Sequence, residues 1–570
     1  MVRDRSGQVR ATVWGVLAAA LVWGALVLPS SLAALSWGSL VRLPLGVLVV
    51  LAALIVVPPA ARRAVALVLG GVLALVVVLK SLDIGFSGVM DRRFHVLHDV
   101  ANLERGYAVL ADWVGRGWAV AAVAVLVLVT LLVVVLLVPA VLRLSRVVAA
   151  HRRPSLVALL VGALVWGACA LAGVQVGGSP VASTATAGLV REHVAGGYAD
   201  YRDPSVFGTV IASDPWAGRS GLLDGLAGKD VLIVFVESYG AAALTDPVLA
   251  KGVAPVLAAG EESLAEVGVE ARSGWLTSPT FGAGSWLAHA TLQSGLWVDD
   301  DRRHEQLLAA HRLTLTRAFS QAGWRTGFVQ PAVEATWPEG KEFYGYDRLH
   351  AAEDLRYRGP ALGWGEVPDQ YTLSWVHRQV LATGGAPVMA QVDLVTSHNP
   401  WPHPPPFVPW GAVGDGLVYS CMPGCADDGA DDVRSRYAAS IGYSLESVVS
   451  FAAEHPDLVV LLMGDHQPWA YVTGEAPSHD VPVSLIAADP AVLERISQWG
   501  WTPGLVPGEQ SPVWRMDAFR DQFLTAFSTR PPGPAPGAAH RRSAGSRSRA
   551  PAARRGRRSP RTPCRDEGSR

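Results

Sequence analysis

The stretch VLIVFVESYG, residues 231–240, runs six apolar residues in a row, stops on the carboxylate of Glu237 and then breaks into Ser-Tyr-Gly. Four of the six are β-branched, which reads as a strand, and a buried strand has no use for a carboxylate within it. Glu237 therefore belongs to the strand's carboxyl end, where open α/β sheets bind their ligands. Three further runs of the same kind follow, APVMAQVDLVTSH (386–398), DLVVLLMGDH (457–466) and DVPVSLIAA (480–488). They alternate with segments of helical period such as LTLTRAFSQAG (313–323) and SRYAASIGYSLESVVSFAAEH (435–455). The alternation predicts an α/β domain with a largely parallel sheet over residues 229–529.

Residues that directly follow apolar runs then mark the ligand edge. They are Glu237, the pair Asp465 and His466, and His398. Two carboxylates and imidazole suit one divalent cation, with Mn expected first and Mg, Zn or Ca as alternatives. Between the first two ligand strands lies LTSPTFGAGSWLAHATLQSGLW (276–297), in which Ser285 opens a helical pattern after Gly282 and Gly284. A hydroxyl there is a common helix cap. The same exposed amides also bind a phosphate or sulfate oxygen, and beside a divalent ion the hydroxyl loses its proton more readily and becomes a nucleophile. Ser285 is accordingly both a candidate nucleophile and a candidate metal ligand.

The first half of the chain is of another kind. Half of the 570 residues are hydrophobic and 17% are charged, and the apolar excess sits before residue 176. Five stretches, roughly 11–31, 42–60, 64–80, 117–138 and 156–175, approach the ~20 residues that cross a bilayer. Arginines at 3, 5 and 10, at 62 and 63, and at 143, 146, 152 and 153 place the N-terminus inside and everything after the fifth span outside. The expected plan is a transmembrane domain at 1–176, a linker at 177–228, the extracytoplasmic domain at 229–529 and a disordered basic tail rich in Pro, Gly, Ala, Ser and Arg at 530–570. Cys421 and Cys425 are the one plausible intradomain disulfide pair.

In order and spacing these motifs resemble the alkaline phosphatase/sulfatase superfamily, in its lipoteichoic acid synthase-like branch of polytopic membrane proteins. The match rests on VESYG with Glu237, GAGSW with Ser285, TSHNPW with His398, MGDH with Asp465 and His466, and YGYDRL at 344–349. The resemblance implies a sulfatase-like fold outside the membrane, a metal held by Glu237, Ser285, Asp465 and His466, and His398 on the substrate. It also suggests Trp337 in TWPEGKEFYGYD as a phosphate-gripping residue. Where that branch places an arginine nearby, the closest cation here is Lys341. His479, ahead of the run at 480–488, is a further candidate for the substrate site. The C/S-x-P-x-R sequence of true sulfatases is missing from the chain, so the hydrate mechanism of sulfate ester hydrolysis is not expected.

These readings converge on a membrane-anchored, metal-dependent phosphoryl-transfer enzyme in the cell envelope. Its partners would be the bilayer and a lipid or glycan phosphate ester, with no nucleic acid. A sulfatase-like hydrolase is the alternative within the same chemistry. A non-catalytic membrane scaffold or receptor is the alternative of another class.

Overall fold

The computed structural model describes residues 2–529 apart from 32–33, 91, 98, 101–102, 104–105, 108–109, 112–113, 334–336, 364, 366, 422–431 and 475–477. The tail at 530–570 and the pairing of Cys421 with Cys425 lie outside the described residues.

Helices α1 (Val2–Val27), α2 (Leu45–Val56), α3 (Arg62–Met90), α4 (Arg116–Ala150) and α5 (Arg152–Leu171) pack around a shared apolar core that includes Leu54, Ala66, Leu137 and Val141. Four of them, α1, α3, α4 and α5, are long and apolar enough to cross a membrane. Their outer faces leave residues such as Leu128 and Leu164 exposed, as a lipid-facing surface requires. The second expected span is corrected. Of residues 42–60 only the 12 of α2 are helical, about 18 Å of rise against a hydrocarbon core of ~30 Å. Pro44 precedes the helix and Pro58 follows it, and proline is poorly tolerated inside one.

The expected linker is also corrected in form. Residues Ala185–Ala212 make one 28-residue helix, α6, fastened at both ends. Toward the bundle, Lys80 donates to Thr186 Oγ1 at 3.0 Å, His193 Nε2 lies 3.0 Å from Asp83 Oδ2 and His95 Nδ1 lies 3.1 Å from Asp200 Oδ2. Toward the α/β domain, Arg303 grips Asp203 with two bonds of 2.6 and 2.9 Å, while Phe207 and Ile211 pack with Leu296 and Leu307.

The domain is built on one nine-stranded sheet. In chain order its strands are β1 (Val231–Val236), β2 (Glu270–Thr277), β3 (Arg325–Gln330), β4 (Arg348–Ala351), β5 (Val388–Leu394), β6 (Val459–Gly464), β7 (Asp480–Ala487), β8 (Thr502–Pro503) and β9 (Val513–Arg515). Across the sheet the order is β8-β2-β7-β6-β1-β5-β3-β4, with β9 beside β2. The strands β6, β1, β5, β3 and β4 are parallel, and β7 alone separates β2 from them with antiparallel pairing on both sides. Strand β1 lies near the centre and all six of its residues are buried. Leu232, Val234 and Val236 enter one core, and Val231, Ile233 and Phe235 enter the core on the opposite face. Side chains alternate across a strand, so a strand covered on both faces must be apolar at every position. That is why the run at 231–236 shows no alternation and why its first charge stands just past its end.

Pairing of Val236 with Gly464 and with Leu394 sets the ends of β1, β6 and β5 level. Strand β2 runs the same way, so the chain leaving Thr277 reaches that edge too. Beside it, the short helix Ala470–Thr473 packs against α3 of the bundle.

Candidate active site

Four sequence-predicted residues meet at this edge. Ligating atoms of Glu237, Asp465 and His466 lie within 4.8 Å of one another. The Ser285 hydroxyl donates to Glu237 Oε2 at 3.0 Å and stands 3.2 Å from His466 Nε2.

Each is held by local structure. Ser238 adopts a left-handed conformation with φ 58°, uncommon for a residue with a Cβ. The turn aims its N–H at Asp465 Oδ1 (2.8 Å) and its hydroxyl at Glu237 Oε1 (2.8 Å), and Tyr437 holds it by donating to the Ser238 carbonyl at 2.9 Å. Asp465 Oδ1 accepts a second amide, from His466 at 2.7 Å, so Oδ2 is the oxygen left to face the cluster. A Cβ on Gly464 would lie 1.8 Å from the Tyr239 carbonyl oxygen; only glycine lets the two strand ends approach this closely. His466 Nδ1 sits 2.8 Å from the Gln467 carbonyl, which can only accept. The ring's proton is therefore on Nδ1, and the Nε2 lone pair faces Glu237 (3.4 Å) and Asp465 (3.6 Å).

Ser285 is the first residue of α7 (Ser285–Ser294), and Gly284, with φ 89°, occupies the cap position. The serine thus stands at the first helical position rather than the cap, and its hydroxyl turns to the carboxylate of Glu237. The glycine turn is clamped to the Asp465–His466 loop by the Gly282 N–H donating to Gln467 O at 3.0 Å and by the Trp469 indole donating to Gly282 O.

Burial raises the Glu237 carboxyl, but the His466 and His398 rings and the Ser238 hydroxyl outweigh it and hold the group below its ordinary range. Asp465 is pushed up to about 6 by burial and by the neighbouring Glu237. Burial lowers the His466 imidazole, but Asp465 and Glu237 more than offset it and raise the group. The donor set, two carboxylates, an imidazole with a free lone pair and a hydroxyl, fits a divalent cation of intermediate hardness.

The cluster forms one wall of a cavity of about 410 Å³. His398 lines it, with its Nδ1 2.6 Å from the Asn399 carbonyl. The neighbouring Ser397 hydroxyl donates to Glu237 O at 2.6 Å and so ties the His398 loop to the end of β1. Three other predicted residues are not brought to the cavity wall. Trp337 lines a separate pocket of about 30 Å³, with its ring 5.8 Å from Tyr344 and 5.9 Å from His304. Lys341 is exposed on the helix Pro338–Tyr344, and His479 is half-buried with its ring 5.4 Å from Phe281.

Sequence reasoning missed two wall residues, His289 and Asp393. The first carried a signal: four residues past Ser285 on a helix is the same face. Asp393 lies inside the run that ends at His398, next to last in β5, where an acidic residue marks a strand position facing the site rather than the core. Burial holds the His289 imidazole down to about 4 and pushes the Asp393 carboxyl well above its usual range.

No protein-family model matches the chain, and no curated protein matches it. Among solved structures it is similar to an integral membrane lipooligosaccharide phosphoethanolamine transferase A from Neisseria meningitidis, at 14% identity over 83% of this chain and 86% of that one, with a TM-score of 0.40. It is similar to the lipoteichoic acid synthase LtaP from Listeria monocytogenes, at 13% identity over 58% and 79% with a TM-score of 0.35. A third is a Streptococcus pyogenes phosphoglycerol transferase, GacH, at 12% identity over 57% and 82% with a TM-score of 0.35. At such scores these likenesses carry no weight for the chemistry, which rests on the side chains at the sheet edge.

Proposed function

We propose that this chain is a plasma-membrane, metal-dependent phosphoryl-transfer enzyme that acts on phosphate ester head groups of a lipid or cell-envelope glycan through a covalent Ser285 intermediate. The observation that carries the reading is the direction of the Ser285 hydroxyl. Gly284 holds the helix cap, and the hydroxyl of the first helical residue donates to Glu237 at 3.0 Å, among Asp465 and His466.

A divalent cation held by Glu237, Asp465, His466 and Ser285 would supply Lewis-acid stabilisation of charge on the phosphoryl oxygens. Ser285 Oγ attacks phosphorus as its proton leaves toward Glu237; the Oγ–P bond forms and the bond to the leaving oxygen breaks. His398, which lines the same cavity, gives a proton to that oxygen and then takes one from the acceptor, a glycan hydroxyl or water, which releases Ser285. The packing of Ala470–Thr473 on α3 puts the cavity beside the membrane bundle, in keeping with a substrate anchored in the bilayer.

The test is turnover by the full-length protein in detergent, stripped of metal and resupplied with Mn, Mg, Zn or Ca, on a chromogenic phosphodiester, phosphomonoester and sulfate ester. Phosphate ester turnover lost in Ser285→Ala, with a phosphoryl adduct on Ser285 by mass spectrometry, supports the proposal. Turnover of the sulfate ester alone would point to the hydrolase, and metal-independent inertness to all three would point to a scaffold.

A further inference from the structure

His289 is one turn beyond Ser285 on α7, with its ring over Phe235 at 4.1 Å between centroids. It forms part of the wall of the main cavity and of the adjoining small pocket. Its Nε2 is buried and has no partner among the described residues. Its Nδ1 faces the Gln391 side-chain amide at 3.5 Å and Asp393 Oδ2 at 3.7 Å.

The orientation of that amide is dictated from a distance. The backbone N–H of Thr316 can only donate, and it lies 3.0 Å from Gln293 Oε1, an assignment the Thr316 hydroxyl supports at 3.1 Å. Gln293 must then turn its NH₂ the other way, where it donates to Gln391 Oε1 at 3.0 Å, and the Tyr346 hydroxyl donates to the same oxygen at 2.8 Å. With its oxygen committed to two donors, Gln391 presents its NH₂ to Asp393 Oδ1 at 3.3 Å and to His289 Nδ1. Nδ1 thus faces an N–H donor at 3.5 Å, while Asp393 Oδ2 at 3.7 Å lies beyond hydrogen-bond reach, so Nδ1 is the acceptor and the His289 proton is on Nε2.

We infer that His289 is a substrate-binding residue whose Nε2–H donates to an unesterified oxygen of the phosphoryl group at Ser285, and that Gln293 and Gln391 are positioning residues that fix its tautomer. Side chains four apart on a helix have Cβ atoms about 5–6 Å apart, a spacing that a phosphoryl group on the serine oxygen bridges. Glu237 and Asp465 offer only acceptors at this edge; His289 adds a donor that brings no charge into the buried wall. This inference rests on the phosphoryl-transfer reading.

The test separates the two. In the full-length protein in lipid bilayers, ¹⁵N-histidine solid-state NMR, with the His289 signals identified by their loss in His289→Phe, reads the tautomer without any turnover. The expected result is a bare Nδ1 and a protonated Nε2 whose signal shifts when orthophosphate is added with Mn. Gln391→Glu, which puts an acceptor opposite Nδ1, should move the proton to Nδ1. In the chromogenic phosphodiester assay His289→Phe should lose roughly 10²-fold in kcat with KM within about twofold, and His289→Gln, which restores an N–H, should recover at least about tenfold of that. A proton on Nδ1 in the wild type, no response to phosphate, or equal kcat for Phe and His would overturn the inference. An inert wild type that still shows the tautomer and the phosphate shift would overturn the proposed turnover and leave His289 as a phosphate donor.

Discussion

Replacing Asp465 with asparagine is expected to stabilise the metal-free protein at pH 7.5 and to weaken it once a divalent ion is present. Asp465 is 1% exposed, and burial together with Glu237 raises its carboxyl from 3.8 to about 6. The folded state therefore holds the proton more tightly than the unfolded chain does. Stability is unpenalised below pH 3.8, falls as the pH rises toward 6, and above 6 carries the whole cost. At about 1.4 kcal/mol for each tenfold change in proton affinity, that cost is on the order of 3 kcal/mol. Asparagine keeps Oδ1 for the two amides, Ser238 N–H at 2.8 Å and His466 N–H at 2.7 Å, and removes the ionisation. For a domain of this size about 3 kcal/mol corresponds to roughly 5–10 °C in Tm. Thermal unfolding of the full-length protein after chelation, wild type against Asp465→Asn at pH 4.5 and 7.5, reads this cost net of what the His466 imidazole loses when Asp465 no longer holds it up. The gap in favour of asparagine should open as the pH rises, and saturating Mn should reverse it, because an ion at a thousand times its Kd adds about 4.1 kcal/mol to a state that binds it. A metal-free wild type as stable as the variant at pH 7.5, or a gap unmoved by Mn, would refute the picture of two buried carboxylates in want of a cation.

Four further outcomes are expected. Ser285→Ala should lower phosphate ester turnover by at least about 10³-fold while isothermal titration still detects Mn, because three ligand side chains remain. Gly284→Ala should cost about 1–2 kcal/mol in thermal unfolding, since φ 89° is disfavoured for an L side chain and the added Cβ would lie 3.3 Å from Thr280 Cγ2; kcat should fall with it. Asp203→Ala removes both bonds from Arg303 and should destabilise the α6 junction by about 1–3 kcal/mol, seen as faster proteolysis near residue 203. Lys341→Ala, at an exposed position away from the cavity, should leave kcat/KM within about twofold.

How much of this was legible in the sequence depends on range. Glu237, His398, Asp465 and His466 were visible because strand ends are local, and parallel pairing converts "follows an apolar run" into "lies at one edge". Ser285 was ambiguous, since a capping serine and a serine nucleophile have the same neighbours in sequence; the structure separates them by putting Gly284 at the cap and turning the serine hydroxyl to Glu237. Trp337 came from the resemblance, Lys341 as the cation nearest to it and His479 because it precedes the run at 480–488, and none of these grounds says which way a side chain faces. The Gln293–Gln391–His289 chain links residues about a hundred positions apart, beyond any local pattern. Helix α6 was hidden because Gly196, Gly197 and Pro204 weaken its intrinsic propensity, and its contacts with the bundle and with Arg303 supply what the sequence lacks.

The two fastenings of α6 have a metric consequence. The part of α6 between Thr186, bonded to Lys80 of α3, and Asp203, bonded to Arg303, rises about 26 Å and does not shorten, with Ala470–Thr473 as a second strut on α3. Under the proposed function, Ser285 would thereby be suspended at one elevation over the bilayer, and the molecule would work as a gauge. Head groups whose phosphate rides at that elevation would react, and those set nearer or farther by a sugar unit would pass beneath or above it. A ladder of synthetic lipids differing only in spacer length should give a peaked rate profile, with the peak broadened by Asp203→Ala; a flat profile would mean that the elevation is not fixed.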